Sequence, residues 1–230
     1  MHDHHQEEHL GSSEFITDIV IGMSDGLTVP FALAAGLSGA VSTNDIVVTA
    51  GIAEIVAGSI AMGLGGYLAG RTEIEHYDSE LKREYDEVER VPEREKQEVK
   101  EVFAEYGLSP HLQDEIAEEL SKNKEKWVNF MMKFELGLEK PDPNRATKSA
   151  ITIGVAYIIG GLIPLSPYFF TSNPISGLQY SCIATLVCLF VFGYFKSKVT
   201  GQPPVFGAFK VTAIGAVAAA AAFFVAKLLE

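Results

Sequence analysis

The stretch SAITIGVAYIIGGLIPLSPYFF, residues 149–170, runs for 22 residues without one Asp, Glu, Lys or Arg. A helix needs about 20 apolar residues to cross a hydrocarbon core of about 30 Å. This stretch therefore reads as a transmembrane helix, and so do 175–195 and 205–229. Two earlier stretches, 15–41 and 46–69, are also long enough, but they carry acids and many glycines. The expected fold is all-α: a polytopic membrane protein with five transmembrane helices.

Charge divides the 230-residue chain in the same way. Residues 71–145 hold 21 Asp/Glu and 13 Lys/Arg, and the remainder holds only 9 acids and 5 bases. A soluble protein spreads its charges more evenly. Mean hydropathy is a modest +0.16 because two unlike parts are averaged. The expected organisation is a tail over 1–14, helices 1 and 2 over 15–70, a charged helical insert over 71–145 and helices 3 to 5 over 146–230. A net charge of −12 gives no reason to expect a nucleic-acid partner.

Loop charge sets the expected orientation. The connections at 42–45 and 171–174 have no Lys or Arg, whereas Arg71, Arg145, Lys148, Lys196, Lys198 and Lys210 all fall on the opposite side. The positive-inside rule puts the insert and the N-terminus in the cytosol and the C-terminus on the far side. The opening Met1-His2-Asp3-His4-His5 lacks the basic start and short apolar core of a cleavable signal, so the first span is expected to serve as its own insertion signal. Cys182 and Cys188 lie six apart on one helix and face different ways, which argues against a disulfide between them.

The insert reads as three helices. The first continues from the second span to about Glu89. Pro92 opens the second, whose Val99, Val102, Phe103 and Tyr106 share a face, and Gly107 ends it. Ser109-Pro110 starts a third, expected to run unbroken and to bury Leu112, Ile116, Leu120, Trp127, Phe130, Phe134 and Leu138.

Two constellations carry chemistry. Asp25 and Glu54 sit inside apolar spans, where an ionised carboxylate facing lipid costs from about 2.5 to above 10 kcal/mol. Such acids persist where they face a pathway, a partner or a cation. Glu54, Gly58 and Met62 repeat every four residues and share a stripe offering hard oxygen, space and a thioether. Ferrous iron accepts both donors, whereas Mg²⁺ and Ca²⁺ want oxygen. The alternative reading of Asp25 and Glu54 is as protonated structural hydrogen bonders. Asp18, nearer the end of its span, reads as an interfacial acid or a pathway entrance.

The second constellation is Glu84 with Glu87 and Glu95 with Glu98, two Glu-x-x-Glu pairs. Residues three apart share a helical face, so each pair can present two carboxylates to one ion. Glu135 is a candidate fifth acid, with Met131 and Met132 one turn before it. The alternative is a solvated, salt-bridged face using Lys82, Arg83, Arg94 and Lys96. The glycines of the first two spans allow either close packing within the chain or a dimer interface. His2, His4, His5 and His9 could bind metal, though a mobile tail with incidental affinity is the plainer reading.

The run Ser24-Asp25-Gly26-Leu27-Thr28-Val29-Pro30 through Ala40, with Gly51-Ile52-Ala53-Glu54 and Ser59 through Met62 to Ala69, resembles the signature of the vacuolar iron transporters, plant members above all. The resemblance covers essentially the whole chain. It implies a homodimeric Fe²⁺/H⁺ antiporter of the vacuolar membrane with no permanent cofactor, while the sequence leaves the selectivity among Fe²⁺, Mn²⁺, Co²⁺, Ni²⁺ and Zn²⁺ open. It also implies a path between subunits through Asp25, Glu54 and Met62. The same resemblance implies a cytosolic metal-binding insert using Glu84, Glu87, Glu95, Glu98, Glu135, Met131 and Met132. The rival readings are a membrane-anchored di-iron carboxylate oxidase, which usually needs His beside its Glu pairs, and a passive divalent-metal channel.

Overall fold

A computed structural model describes residues 13–228. The histidine-bearing tail therefore lies outside the described residues, as does the end of the expected fifth span. Among the described residues every regular element is helical. They are α1 (Ser13–Ala40), α2 (Asn44–Arg90), α3 (Pro92–Glu105), α4 (Pro110–Ser121), α5 (Lys124–Phe130) leading into a π-helical turn (Met131–Glu135), α6 (Arg145–Leu165) leading into a 3₁₀ turn (Ser166–Phe169), α7 (Pro174–Val199) and α8 (Pro204–Leu228). Five of these helices are long and apolar enough to cross a membrane: α1, α2, α6 with its 3₁₀ turn, α7 and α8.

The chain separates into two compact units, one from the residues up to Tyr67 together with those from Ala146 on, the other Leu68–Arg145. In the first unit small residues decide how closely the helices approach. Gly160 of α6 faces Met23, Gly26 and Leu27 of α1, where an added methyl would sit about 3.0 Å from backbone atoms. Gly36 and Gly39 of α1 meet Ala222 and Phe223 of α8. Gly51, Gly58, Gly63 and Gly66 of α2 all meet α6. These glycines serve packing within the chain, whereas Gly65 faces open space. Helix α1 runs through Pro30 without a break.

Asn44, at the start of α2, donates to the carbonyls of Tyr168 and Thr171 (3.1 and 2.7 Å) and to Oγ1 of Thr171. Its side chain ties α2 to the 3₁₀ turn. Cys182 and Cys188 are free thiols.

The second unit has a core of Tyr77, Val88, Val99, Ala117, Trp127, Val128, Met131 and Met132. Phe103 of α3 stacks on Phe130 of α5 at 5.3 Å. The expected unbroken third helix is interrupted. Helix α4 ends at Ser121, and Asn123 starts α5 by accepting from the backbone N–H of Lys126 at 3.0 Å. The break follows from the cap: an Asn side chain competes well for the free amides of a helix start. Leu112 on α4 and Phe134 on the π-helical turn, both expected in the core, are exposed, and so is Tyr106 at the C-cap of α3. Asn123→Ala is expected to cost the second unit about 1 kcal/mol. Unfolding followed by the fluorescence of Trp127, the only tryptophan in the chain, checks this.

Candidate metal centre

In the second unit α2 and α3 are joined at Val91, with Pro92 opening α3. The reversal carries the two Glu-x-x-Glu pairs toward each other. One oxygen from each of Glu84, Glu87 and Glu95 lies within 4.8 Å of the others. Glu84 and Glu95 are each only 1% exposed, and Glu87 and Glu98 are half-buried. Both oxygens of Glu95 and Oε2 of Glu84 have no hydrogen-bond partner. Glu98 is held by Arg94 at 3.0 Å, and Glu87 lies 3.7 Å from Arg83.

Burial is the main cause that raises the Glu84 carboxyl to about 7, with the charges of Glu135 and Glu87 adding to it. Glu95 is likewise raised to about 7, first by burial and then by Glu98 and Glu84. Glu135, exposed on the π-helical turn, is raised by partial desolvation and by Glu98. Unpaired buried carboxylates are costly, and a divalent cation satisfies several of them at once.

The sign of the pH dependence follows. Both buried carboxyls titrate higher in the folded chain than in the unfolded one, near 4.5. Their contribution to stability is complete below about pH 4.5 and is lost as pH rises through about 7. A cation must displace the same protons. With two carboxyls near 7, binding is expected to be roughly 100-fold tighter at pH 8 than at pH 6. Titration with Co²⁺, which resists oxidation, checks this.

Met131 and Met132 are fully buried in the apolar core beside Tyr77, Val88, Val99 and Trp127. His76 and His111 face Glu80 (3.9 Å) and Glu115 (3.6 Å), acids outside the glutamate cluster.

In the first unit three acids line α1 and α2. Asp18 is buried, and Ser149 Oγ of α6 donates to it at 3.0 Å. Asp25 is partly buried between Gly22 and Gly26, where α1 lies against α6. Glu54 is partly buried. The Tyr157 hydroxyl donates to its Oε1, and its Oε2 is buried with no partner. Asp25 lies within electrostatic range of the same hydroxyl. Met62 is partly buried two turns beyond Glu54. On the other side of α2, Ile52, Val56, Ile60, Leu64 and Leu68 are exposed.

The sequence pattern of the VIT family matches residues 16–227, a range that contains both acid groups. The chain belongs to the VIT family. Among its VIT relatives, vacuolar iron transporter 1 of Arabidopsis thaliana is 54% identical over 228 residues, covering 99% of this chain and 91% of the relative. Vacuolar iron transporter 1 of Oryza sativa subsp. japonica is 51% identical over 229 residues, covering 100% and 91%. Protein CCC1 of Saccharomyces cerevisiae is 42% identical over 228 residues, covering 93% and 69%.

Sequence reading of this VIT-family chain overlooked the groups that hold the acids. Ser149 and Tyr157 lie eight residues apart on α6, in a stretch read only as apolar filling. The available signal was their spacing: two hydroxyls on one face of a helix otherwise built from Ala, Ile, Val and Gly. Arg83 and Arg94, weighed as the alternative of a salt-bridged face, do pair with Glu87 and Glu98 at the border of the glutamate cluster.

Proposed function

We propose that this chain is a proton-coupled ferrous iron transporter, an Fe²⁺/H⁺ antiporter that moves iron from the cytosol into the vacuole as a homodimer. Iron is its cargo rather than a resident cofactor. The observation that carries the reading is Glu54: a carboxylate inside an apolar span, with one oxygen anchored and the other buried without a protein partner. Such an oxygen is stable only when a proton or a cation visits it. The names of the relatives supply the choice of iron and of the vacuole.

In this proposal the insert is cytosolic, as is the N-terminus, and the C-terminus is lumenal. Glu84, Glu87, Glu95, Glu98 and Glu135 collect Fe²⁺ near the membrane, with the thioethers of Met131 and Met132 beside them. The ion then passes to Asp25, Glu54 and Met62. Cation and proton compete for the same lone pairs, so an acidic lumen favours release of the metal and sends protons back. The exposed apolar face of α2 is offered to the second copy or to lipid.

Uptake into proteoliposomes with and without an inside-acid gradient tests the proposal, run with Fe²⁺, Mn²⁺, Co²⁺, Ni²⁺ and Zn²⁺. Gradient-driven Fe²⁺ accumulation is expected. Flux indifferent to the gradient would make the chain a passive channel. Oxygen consumed on adding Fe²⁺, without accumulation, would make it an oxidase.

A further inference from the structure

We infer that Tyr157 is the positioning residue of the intramembrane carboxylate site. Its hydroxyl fixes one oxygen of Glu54, and so sets the direction in which the other is presented to the cation. The inference rests on the transport reading above and extends it to a helix, α6, that the reading assigns no part in the path.

Three observations converge on this side chain. The tyrosine is 2% exposed, and its hydroxyl is spent on Oε1 of Glu54. The ring crosses α2 at Gly58, where an added methyl would collide with the ring carbons and the hydroxyl. The backbone of Tyr157 rests against Gly26 of α1, where a methyl would meet its Cα at 2.9 Å. Tyr157 is thus held between two helices, its ring at a glycine of α2 and its backbone at a glycine of α1, and the latter glycine follows Asp25.

A glutamate has three side-chain torsions and in an open site samples many directions. A rigid donor on one oxygen removes that freedom. With its proton committed to Oε1, the hydroxyl occupies that oxygen of the carboxylate. What remains is Oε2, buried and unpartnered, as the coordinating atom. A group held in this way binds without first being ordered, which is where positioning improves affinity.

Tyr157→Phe removes the hydroxyl and keeps the ring in its cleft. Anaerobic Fe²⁺ uptake in proteoliposomes is expected to show KM raised about tenfold, the loss of one hydrogen bond to a charged group, with kcat within about twofold. The melting temperature in detergent is expected to stay within a few degrees of wild type. A KM within twofold of wild type overturns the inference. So does a fall in kcat and melting temperature at unchanged KM, which marks a merely structural role. If Tyr157→Phe does not fold, Gly58→Ala keeps the hydroxyl but displaces it: a raised KM supports the inference, and an unchanged KM overturns it. A wild-type protein that moves no Fe²⁺ sinks the transport reading itself, before any variant is compared.

Discussion

Glu54→Ala is expected to cut gradient-driven Fe²⁺ uptake by at least about a hundredfold, more than any other single change in the first unit. The substitution removes the first unit's carboxylate whose second oxygen is buried and unpartnered, and it strands the Tyr157 hydroxyl without its acceptor. A stranded buried donor costs about 1–3 kcal/mol, so some loss of thermal stability accompanies the loss of transport. Losing a site through which charge must pass in hydrocarbon raises the barrier far more. Initial rates in proteoliposomes, normalised to folded protein, decide the matter. Undiminished uptake would remove Glu54 from the pathway.

Glu84→Gln combined with Glu95→Gln is expected to move function and stability in opposite directions. Metal affinity of the insert should fall at least about a hundredfold, since two of the three clustered oxygens lose their charge. The metal-free protein should become more stable at pH 8, because the cost of ionising two carboxyls that are 1% exposed disappears. Below about pH 4.5, where both carboxyls are already protonated, the gain should vanish. Trp127 fluorescence reports unfolding of this unit, and Co²⁺ titration reports the affinity. Equal stability of the two proteins at pH 8 would mean that the buried carboxyls titrate normally and that the site is solvated.

Stability and capture are opposed here for a simple reason. A carboxylate cluster that binds cations tightly is, without them, a cluster of like charges in a poor solvent. The second unit offsets this with the surrounding apolar core and with surface ion pairs such as Lys100 with Asp114 (2.7 Å) and Lys96 with Glu118 (2.8 Å). Exposed pairs of this type contribute only about 0–1 kcal/mol each, so the apolar core must carry most of the compensation.

What sequence alone could determine was local. Hydropathy over about 20 residues marks a span because the bilayer is a solvent that tests each segment separately. A three-residue spacing places two carboxylates on one face because helix geometry admits nothing else. The meeting of Glu84 and Glu87 with Glu95 was within reach for the same reason: a single Pro-opened turn at Val91 joins the two helices. The break at Asn123 was harder to see. Its cap competes with an apolar period that fits one long helix almost as well, and the local sign of it is one Asn side chain accepting from Lys126.

Tertiary structure alone decided which groups would hold the acids. Tyr157 and Glu54 are 103 residues apart and Ser149 and Asp18 are 131 apart. Their meeting depends on α6 settling against glycines of both α1 and α2. No local pattern encodes that approach, because a glycine looks the same whether it admits a neighbour's ring, as Gly58 does, or faces open space, as Gly65 does. An acid in an apolar span can be read from the chain as a matter of charge and solvent, but the direction of its free oxygen is set only when the helices pack.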